Sequence, residues 1–375
     1  MDFRDTPAEA EYRRALADWL RTFVANHDAA PSSREWQHAL YEAGYIAQTW
    51  PEEQGGKALS PVYDVILNEE VARAGAQAIP PNVNYLCRAI LEFGTEQQRD
   101  RFLLPTLRGD IQWCQGFSEP GAGSDLAALT TSGRWNGDAW IVNGQKLWTS
   151  GASDADWCLL LARSEPDAPK HQGISAFLID MTSPGVSVRP IMTADGEADT
   201  CETFWDDVVV PADCLLGSQG DGWPIAMWAL QLERGPADLG VVPNLLNSLE
   251  DLERIVTSSG LDRHERIRRT LSRAYIDVQI LHLYSIRQVS LRAADRAEGP
   301  SGPAAKLLWA RAAQAVGHAW LDALGGLAVT GAESDRAVRE YFHSRPTSIY
   351  GGSAQIQRNL LAQRVLGMPR ADARR

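Results

Sequence analysis

The sequence predicts an α+β protein with three successive domains: a helical N-terminal domain, a middle β-barrel or sandwich, and a C-terminal helical bundle. Apolar residues recur at helical spacing through residues 1–112, follow strand patterns through 113–222, and return to helical spacing through 223–375. A chain of 375 residues also exceeds the usual size of one hydrophobic core, so several domains are expected.

The N-terminal segment carries helical spacing and a helix start signal. Leu16, Leu20 and Val24 recur every four residues, as on one face of a helix. Further along, Thr95 is followed three residues later by Gln98, which is the spacing of a capping box. A helix is therefore predicted to begin just after Thr95.

The middle segment is predicted to be all-β. Asn143-Gly144 lies between alternating residues of 140–148, a strong short-range signal for a hairpin. Apolar runs at 157–162 and 174–179 are typical of buried strands, and strand patterns continue at 185–190 and 204–211. Beyond residue 223 the helical spacing is interrupted mainly at 258–260 and 299–303, which favours a bundle.

Composition narrows the functional classes. The net charge of −12 argues against nucleic-acid binding, which needs clustered Lys and Arg. The five cysteines are scattered without a Cys-x-x-Cys pair, so reduced buried thiols are expected rather than disulfides, and no metal site is predicted. The N-terminus lacks signal-peptide features and no apolar run approaches about 20 residues. These features predict no membrane span and a cytoplasmic location.

Two motifs carry most of the functional information. Residues 116–125 read GFSEPGAGSD, and residues 349–359 read IYGGSAQIQRN, where a Gly-Gly turn precedes a helix-period segment. Together they resemble the two signatures of the acyl-CoA dehydrogenase family, whose members carry FAD and desaturate acyl-CoA thioesters. The order of helical, β and helical segments resembles the fold of that family over essentially the whole chain.

The resemblance implies a flavin site and a thioester site. The implied FAD contacts are Gln115, Phe117, Ser118, Trp148, Ser150, Ser353 and Gln355. The implied substrate contacts are Ser124, Arg234, Tyr350 and Gly351. Taken singly, each is also typical of a turn serine, a half-buried tryptophan or an exposed helix residue. In the family, the backbone N–H at the position of Gly351 helps to hold the thioester carbonyl.

The usual catalytic glutamate of the family is missing. Residues 350–353 read YGGS where many relatives have Tyr-Glu-Gly-Thr, so glycine replaces the base. Some relatives place a glutamate within a Glu-Arg pair on the first long helix of the C-terminal domain, and residues 230–236 read LQLERGP here. Glu233 is therefore the predicted base, against the alternative of a solvated helix carboxylate paired with an arginine. Pro236 is expected to bend that helix.

Two further departures concern assembly. Homotetrameric relatives carry an Arg-x-x-Phe-Gly element that reaches the FAD of a neighbouring subunit, whereas residues 262–269 read DRHERIRR here. Asp322 stands where a glutamine is expected before a Gly-Gly pair. Both features resemble bacterial members that work as pairs of unlike subunits. The basic cluster either substitutes for the missing arginine or forms a solvated helix face.

The sequence thus predicts an FAD-dependent acyl-CoA dehydrogenase that forms a 2,3-enoyl-CoA. Glu233 would take the α-proton and flavin N5 the β-hydride, on opposite faces of the substrate. An electron-transfer flavoprotein is the expected acceptor. A branched, cyclic or steroid-derived acyl group is favoured over a plain fatty acyl chain, which points to lipid or steroid catabolism. The expected assembly is a dimer of dimers, either of one chain or with a second acyl-CoA dehydrogenase-like chain.

Two alternatives remain open at this point. One is a flavin monooxygenase or oxidase on the same scaffold, which rapid reoxidation of the reduced flavin by air would indicate. The other is a non-catalytic subunit that supplies half of a heteromeric site, which would have no activity alone.

Overall fold

The computed structural model describes residues 4–26, 31–79, 81–233, 240–294, 301–331 and 333–369. The helices are α1 (Pro7–Ala25), α2 (Ser33–Glu42), α3 (Pro61–Arg73), α4 (Pro81–Phe93), α5 (Glu96–Leu107), α6 (Gly222–Glu233), α7 (Val241–Ser258), α8 (Glu265–Ala293), α9 (Ser301–Leu324), α10 (Leu327–Thr330), α11 (Ser334–Ser344) and α12 (Ala354–Leu360). The strands are β1 (Trp113–Gly116), β2 (Ser132–Trp135), β3 (Ala139–Ser150), β4 (Trp157–Arg163), β5 (Ile174–Asp180), β6 (Val186–Ile191), β7 (Thr200–Pro211) and β8 (Leu215–Leu216).

The chain folds into two compact units that are not contiguous in sequence. The helical unit comprises Met1–Ala30, Leu59–Ala78 and Arg234–Arg375, and the mixed unit comprises Pro31–Ala58 and Ile79–Glu233. The predicted order of helices, strands and helices is confirmed. The division of the sequence at residues 113 and 223 stays a prediction.

A single eight-stranded sheet organises the mixed unit. Its strands run in the order β6-β7-β3-β2-β4-β5-β8, and β1 pairs with β4 in parallel. The two apolar runs predicted as buried strands form β4 and β5, which pair antiparallel along their whole length. Their central residues are fully covered, which is why neither strand shows the apolar–polar alternation of a half-exposed strand.

The predicted Asn-Gly hairpin is wrong. Asn143 and Gly144 lie inside the continuous strand β3, at a bulge where the register against β7 shifts. A Cβ on Gly144 would lie 2.4 Å from Thr131 Oγ1, so glycine is needed there for close approach of β3 to Thr131. Asn143 is bound to Asp207 of β7, accepting from its backbone N–H and donating to its carboxylate. The pair therefore marks a bulge rather than a turn.

The predicted start of α5 is confirmed. Gln98 N–H donates to Thr95 Oγ1, and Thr95 N–H donates to the Gln98 side chain at 3.0 Å. The side-chain Nε2 of Gln98 also donates to the backbone carbonyls of Asp213 and Leu215, at 2.7 and 2.9 Å. The capping residue thereby also ties α5 to the chain that enters β8.

The core of the helical unit lies among α7, α8 and α9. Leu252, Val278 and Val316 are fully buried there, and Trp320 donates from Nε1 to Ser248 Oγ at 2.9 Å.

Among the described residues, no helix combines the length and the hydropathy needed to cross a bilayer.

The cysteines are packing residues. All five are buried and free, as the sequence predicted. Burial raises the pKa of the Cys87 thiol to about 12 and that of Cys214 to about 11. A reactive cysteine needs a lowered pKa and access to solvent, so neither thiol is suited to nucleophilic chemistry.

Candidate active site

The first motif begins where β1 ends against β4. A Cβ on Gly116 would lie 2.6 Å from Leu160 Cδ1, so only glycine allows β1 to approach β4 this closely. Gln115 and Ser118 are half-buried on either side of this point, and the Phe117 side chain is buried in the core. Phe117 can therefore face a cofactor only through its backbone.

A buried ion pair fixes the loop that follows. Lys146 on β3 is fully buried, and its Nζ donates to Glu119 Oε1 at 2.8 Å and to the Phe117 carbonyl at 3.2 Å. Glu119 also accepts from the backbone N–H groups of Thr130 and Thr131, at 2.7 and 2.9 Å. One carboxylate thus joins both ends of the loop to β3.

The pair shifts the pKa of both partners. Burial alone would raise the pKa of Glu119, but the charge and hydrogen bond of Lys146, with the donors at Thr130 and Thr131, lower it to about 2. Burial lowers the pKa of Lys146 to about 8 although Glu119 opposes the shift. The Thr130 hydroxyl also donates to Glu119, at 2.8 Å, and a carboxylate with these four donors is held ionised.

Trp148 is the most unusual residue of this region. Its backbone has φ = +63°, which is rare for a bulky residue, at a register shift between β3 and β7. The indole is 58% exposed. The backbone N–H of the preceding Leu147 donates to the Ser118 carbonyl at 2.9 Å, which holds the Trp148 and Ser118 segments side by side. An exposed flat ring, flanked by the hydroxyl-bearing residues Ser118 and Ser150, fits an isoalloxazine.

Ser124 lies on the exposed part of the same loop. Glu119 and Ala122 exchange two backbone hydrogen bonds, which makes a tight turn before it. Past Ser124, Arg163 on β4 donates to the carbonyls of Ala127 and Leu129, at 2.7 and 3.3 Å. The loop is therefore anchored on both sides of an exposed serine.

The second motif forms a tight turn in the helical unit. Gly351 and Gly352 have φ of +61° and +92°, values that favour glycine. The buried Gln357 side chain donates to both of their carbonyls, at 3.2 and 3.1 Å. Ser353 caps α12 by accepting from Ile356 N–H at 3.4 Å. Its hydroxyl therefore already serves a helix cap.

The remaining predicted residues of this motif are exposed. Gln355 is exposed in the first turn of α12, and the Tyr350 ring is 41% exposed. Both side chains are accessible to a ligand of the helical unit.

The predicted base lies at the end of α6. Glu233 is the last residue of that helix, which packs on α4 and β5 with an edge-to-face contact between Trp228 and Phe93. Its side chain, Arg234 and Pro236 lie outside the residues whose side chains the structure describes. The catalytic role of Glu233 and the bend at Pro236 therefore stay predictions.

Carboxylates within the chain pair with two arginines of the basic cluster at 262–269. Arg266 pairs with the carboxylate of Asp322 on α9, and also donates to its backbone carbonyl at 3.0 Å. Thr270 donates to the same carboxylate at 2.8 Å. Arg269 pairs with Glu265 one turn away, and Arg268 donates to the Asp262 carbonyl. Asp322 is thus a partner of Arg266.

The structure brings the predicted residues into two groups. In the mixed unit, Ser118 and Trp148 are held together by the bond between Leu147 and Ser118, with Gln115, Phe117 and Ser150 on the same two segments. In the helical unit, the turn and the start of α12 are joined through Gln357. All of these ligand contacts stay predictions.

Three anchoring residues were assigned no role from the sequence. Glu119 lies inside the first motif, Lys146 on β3, and Gln357 inside the second motif. The sequence did contain a signal for Lys146, because this lysine lies on the same face of its strand as the buried Val142. A charge on a buried face requires a buried partner, so an ion pair could have been predicted there. No comparable sequence signal distinguishes Gln357 from Gln355, since both lie in the first turns of one short helix.

Comparisons with known proteins identify the family of this chain. Models of the N-terminal, middle and C-terminal domains of acyl-CoA dehydrogenase match residues 6–110, 114–208 and 220–366. Acyl-CoA dehydrogenase IpdE1 of Mycobacterium tuberculosis is 39% identical, with 96% of this chain and 98% of the relative covered.

Two solved structures are also similar over nearly the whole chain. A chain of the "Tcur3481-Tcur3483 steroid ACAD" has a TM-score of 0.87 at 29% identity, covering 99% of this chain and 100% of the other. A chain of the ChsE4-ChsE5 complex from Mycobacterium tuberculosis has a TM-score of 0.84 at 29% identity, with the same coverage. All three domain models match in the order in which the fold arranges its helices and strands. The chain belongs to the acyl-CoA dehydrogenase family.

Proposed function

We propose that this chain binds FAD and desaturates a steroid-derived acyl-CoA between Cα and Cβ, with Glu233 as the base. The observation that carries the proposal is Trp148, a strained and exposed tryptophan beside the Ser118 segment. Backbone strain of this kind persists where the surrounding structure enforces it, and it clusters at ligand sites. A flat isoalloxazine packed on this indole accounts for both its conformation and its exposure.

Each catalytic task falls to a named group. Glu233 would remove the α-proton, and desolvation beside an apolar acyl group would raise its pKa towards neutrality. The backbone N–H of Gly351 would donate to the thioester carbonyl and thereby stabilise the developing enolate charge. FAD, when bound, supplies the acceptor for the β-hydride. Ser118, Trp148 and Ser150 would hold the ring, and Ser353 and Gln355 the far end of the cofactor.

The substrate class is inferred from the turn and from the similar structures. Gly351 carries no side chain where many relatives have the glutamate of Tyr-Glu-Gly-Thr, which leaves room for a bulky acyl group beside the turn. A steroid ACAD is among the similar structures. A substrate with rings near the thioester fits this combination better than a straight chain.

We also infer an assembly with an unlike chain of the same family. Arg266 is neutralised by Asp322 and is therefore a poor ligand for the flavin phosphates of a neighbouring copy. Ile276, Ile280 and Leu283 form an exposed apolar row on α8, at the spacing of one helix face. Each of the two similar structures carries the names of two different proteins, Tcur3481-Tcur3483 in one and ChsE4-ChsE5 in the other. An electron-transfer flavoprotein is the proposed acceptor.

The test is an anaerobic titration of the flavin spectrum. The chain would be purified alone and together with a candidate partner, then mixed with the CoA thioester of a steroid side chain and, separately, with butyryl-CoA and palmitoyl-CoA. Bleaching by the steroid thioester at concentrations at least about tenfold below those of the straight-chain esters supports the proposal.

Three results would overturn parts of it. Preferential bleaching by a straight-chain ester would reject the substrate class. Full activity of the chain alone would reject the unlike partner, and rapid reoxidation of the reduced flavin by air would indicate an oxidase.

A further inference from the structure

Helix α9 buries a lysine beside the Gly-Gly turn. Lys306 is only 2% exposed, and its Nζ lies 3.8 Å from the centroid of the Trp309 ring and 4.1 Å from that of Tyr350. The two rings meet edge to face with centroids 5.9 Å apart. Burying an ammonium group is unfavourable unless the protein compensates the charge, and two aromatic faces attract it.

The turn depends on contacts from its flanks. Gly351 and Gly352 have no side chains that could anchor them, and both adopt backbone angles that glycine reaches without strain. Gln357 binds their two carbonyls from the side of α12. On the other flank, the residue that begins the turn is Tyr350, whose partly exposed ring packs against Lys306 and Trp309.

We propose that Lys306 is a positioning residue of the active site, whose buried ammonium holds the Tyr350 ring and through it sets the backbone N–H of Gly351. The proposal rests on the proposed function, in which that N–H donates to the thioester carbonyl. A donor in such a site must be held within about 0.5 Å of its productive position. Fixing the ring of the preceding residue is a direct way to hold the following peptide group in place.

The chemistry of the pair distinguishes positioning from simple packing. Methionine has nearly the length of lysine without its charge and would fill the same space beneath the two rings. Arginine keeps a cation that stacks on aromatic faces. If only volume mattered, methionine would be the better substitute. If the cation matters, arginine would be.

The experiment compares Lys306→Met, Lys306→Arg, Tyr350→Leu and the double variant Lys306→Met/Tyr350→Leu in the FAD-loaded native assembly. We expect kcat to fall about tenfold in Lys306→Met with KM changed less than about threefold, because a positioned donor acts mainly in the transition state. Lys306→Arg should stay within about threefold of wild type. The double variant should lose no more than the worse single variant, since both remove one interaction.

Amide hydrogen exchange of residues 346–360 gives a readout that needs no turnover. Exchange there should become about tenfold faster in Lys306→Met, because the turn opens more often when one flank is released. Val278→Ala, a core substitution in α8, is the matched control, since it lowers the stability of the same unit and replaces no residue of the turn or of the contact among Lys306, Trp309 and Tyr350.

The outcomes separate the two claims. Unchanged exchange at the turn in Lys306→Met, an equal change in Val278→Ala, or better rescue by methionine than by arginine would overturn the positioning role. If the wild-type flavin is bleached by no acyl-CoA while exchange responds as expected, the proposed function fails and the anchoring of the turn stands.

Discussion

Trp148 combines two properties that packing alone does not favour in one residue. A backbone at φ = +63° is unfavourable for a bulky side chain, and the indole remains 58% exposed. The sequence singled out Trp148 through the family resemblance. It could not show the strain, because backbone angles at a register shift depend on how β3 pairs with β7.

Replacing Trp148 with glycine should separate stability from cofactor binding. Glycine adopts the positive φ without strain, and this relief offsets part of the cost of its greater conformational freedom. Trp148→Gly should therefore lower the stability of the cofactor-free protein less than Trp135→Gly does in urea unfolding. Its FAD affinity should fall at least about tenfold, because the stacking face is lost. Fluorescence titration with FAD measures the second effect.

Trp135→Gly is the matched control, since Trp135 is another exposed tryptophan on the same sheet with an ordinary backbone. It should destabilise the strand and leave FAD affinity unchanged. Equal losses of FAD affinity in both variants would contradict a specific role for Trp148.

The buried carboxylate of Glu119 should make the protein sensitive to acid. Its folded pKa is about 2, below the ordinary value of about 4.3 for an unfolded chain. The contribution of Glu119 is therefore fully present above about pH 4.3 and is lost as the pH falls towards 2. The difference in urea midpoint between wild type and Glu119→Gln should be clear at pH 6, clearly smaller at pH 3, and absent only below about pH 2.

Glu53→Gln, at an exposed position of the same unit, serves as the control and should track wild type at both pH values. A gap between wild type and Glu119→Gln that stays constant from pH 6 to 3 would show that the carboxylate is not held at a low pKa.

Among helices and strands, sequence motifs predicted the structure correctly where the residues that interact are close together in the sequence. The capping box of α5 joins residues three apart, so sequence spacing was enough to predict it. The Asn143-Gly144 pair failed because its partners, Thr131 and Asp207, are distant in sequence. The same dipeptide serves a turn or a bulge according to what packs against it.

Gly144→Ala tests the bulge. The new Cβ would meet Thr131 Oγ1 at 2.4 Å and sit on a backbone with φ = +153°, so β3 must shift. We expect a loss of about 1–3 kcal/mol in the free energy of unfolding, measured in urea. Gly326→Ala, where the new Cβ meets nothing within 4 Å, should change stability by less than about 0.5 kcal/mol. Equal effects of the two substitutions would contradict the close approach.

At the scale of the whole molecule, the order of helices, strands and helices was predictable because periodicity changes along the chain. Which of these segments fold together into one compact unit was not predictable from periodicity. The segments Met1–Ala30 and Leu59–Ala78 belong to the same compact unit as the C-terminal helices. In that unit, Arg13 of α1 binds Glu69 and Glu70 of α3, at 2.8 and 2.7 Å. Periodicity reports the state of a segment and carries no information about which distant segment covers it.

For the candidate site, too, the sequence predicted only part of what the structure shows. Both motifs were identified from the sequence, because each is contiguous. The residues that hold them, Lys146 and Lys306, lie on elements outside the motifs and became visible only through their contacts. Sequence reasoning locates groups that meet a ligand more readily than the residues that position those groups.

Single-turnover flavin reduction tests the proposal that this chain desaturates an acyl-CoA with Glu233 as the base. Wild type, Glu233→Gln and the control Glu253→Gln, which changes an exposed carboxylate on α7, would be mixed anaerobically with the steroid-type acyl-CoA. All three should carry FAD. Flavin reduction in Glu233→Gln should be at least about a thousandfold slower than in wild type, while Glu253→Gln matches wild type. Reduction of the Glu233→Gln flavin at the wild-type rate would contradict the assignment of the base.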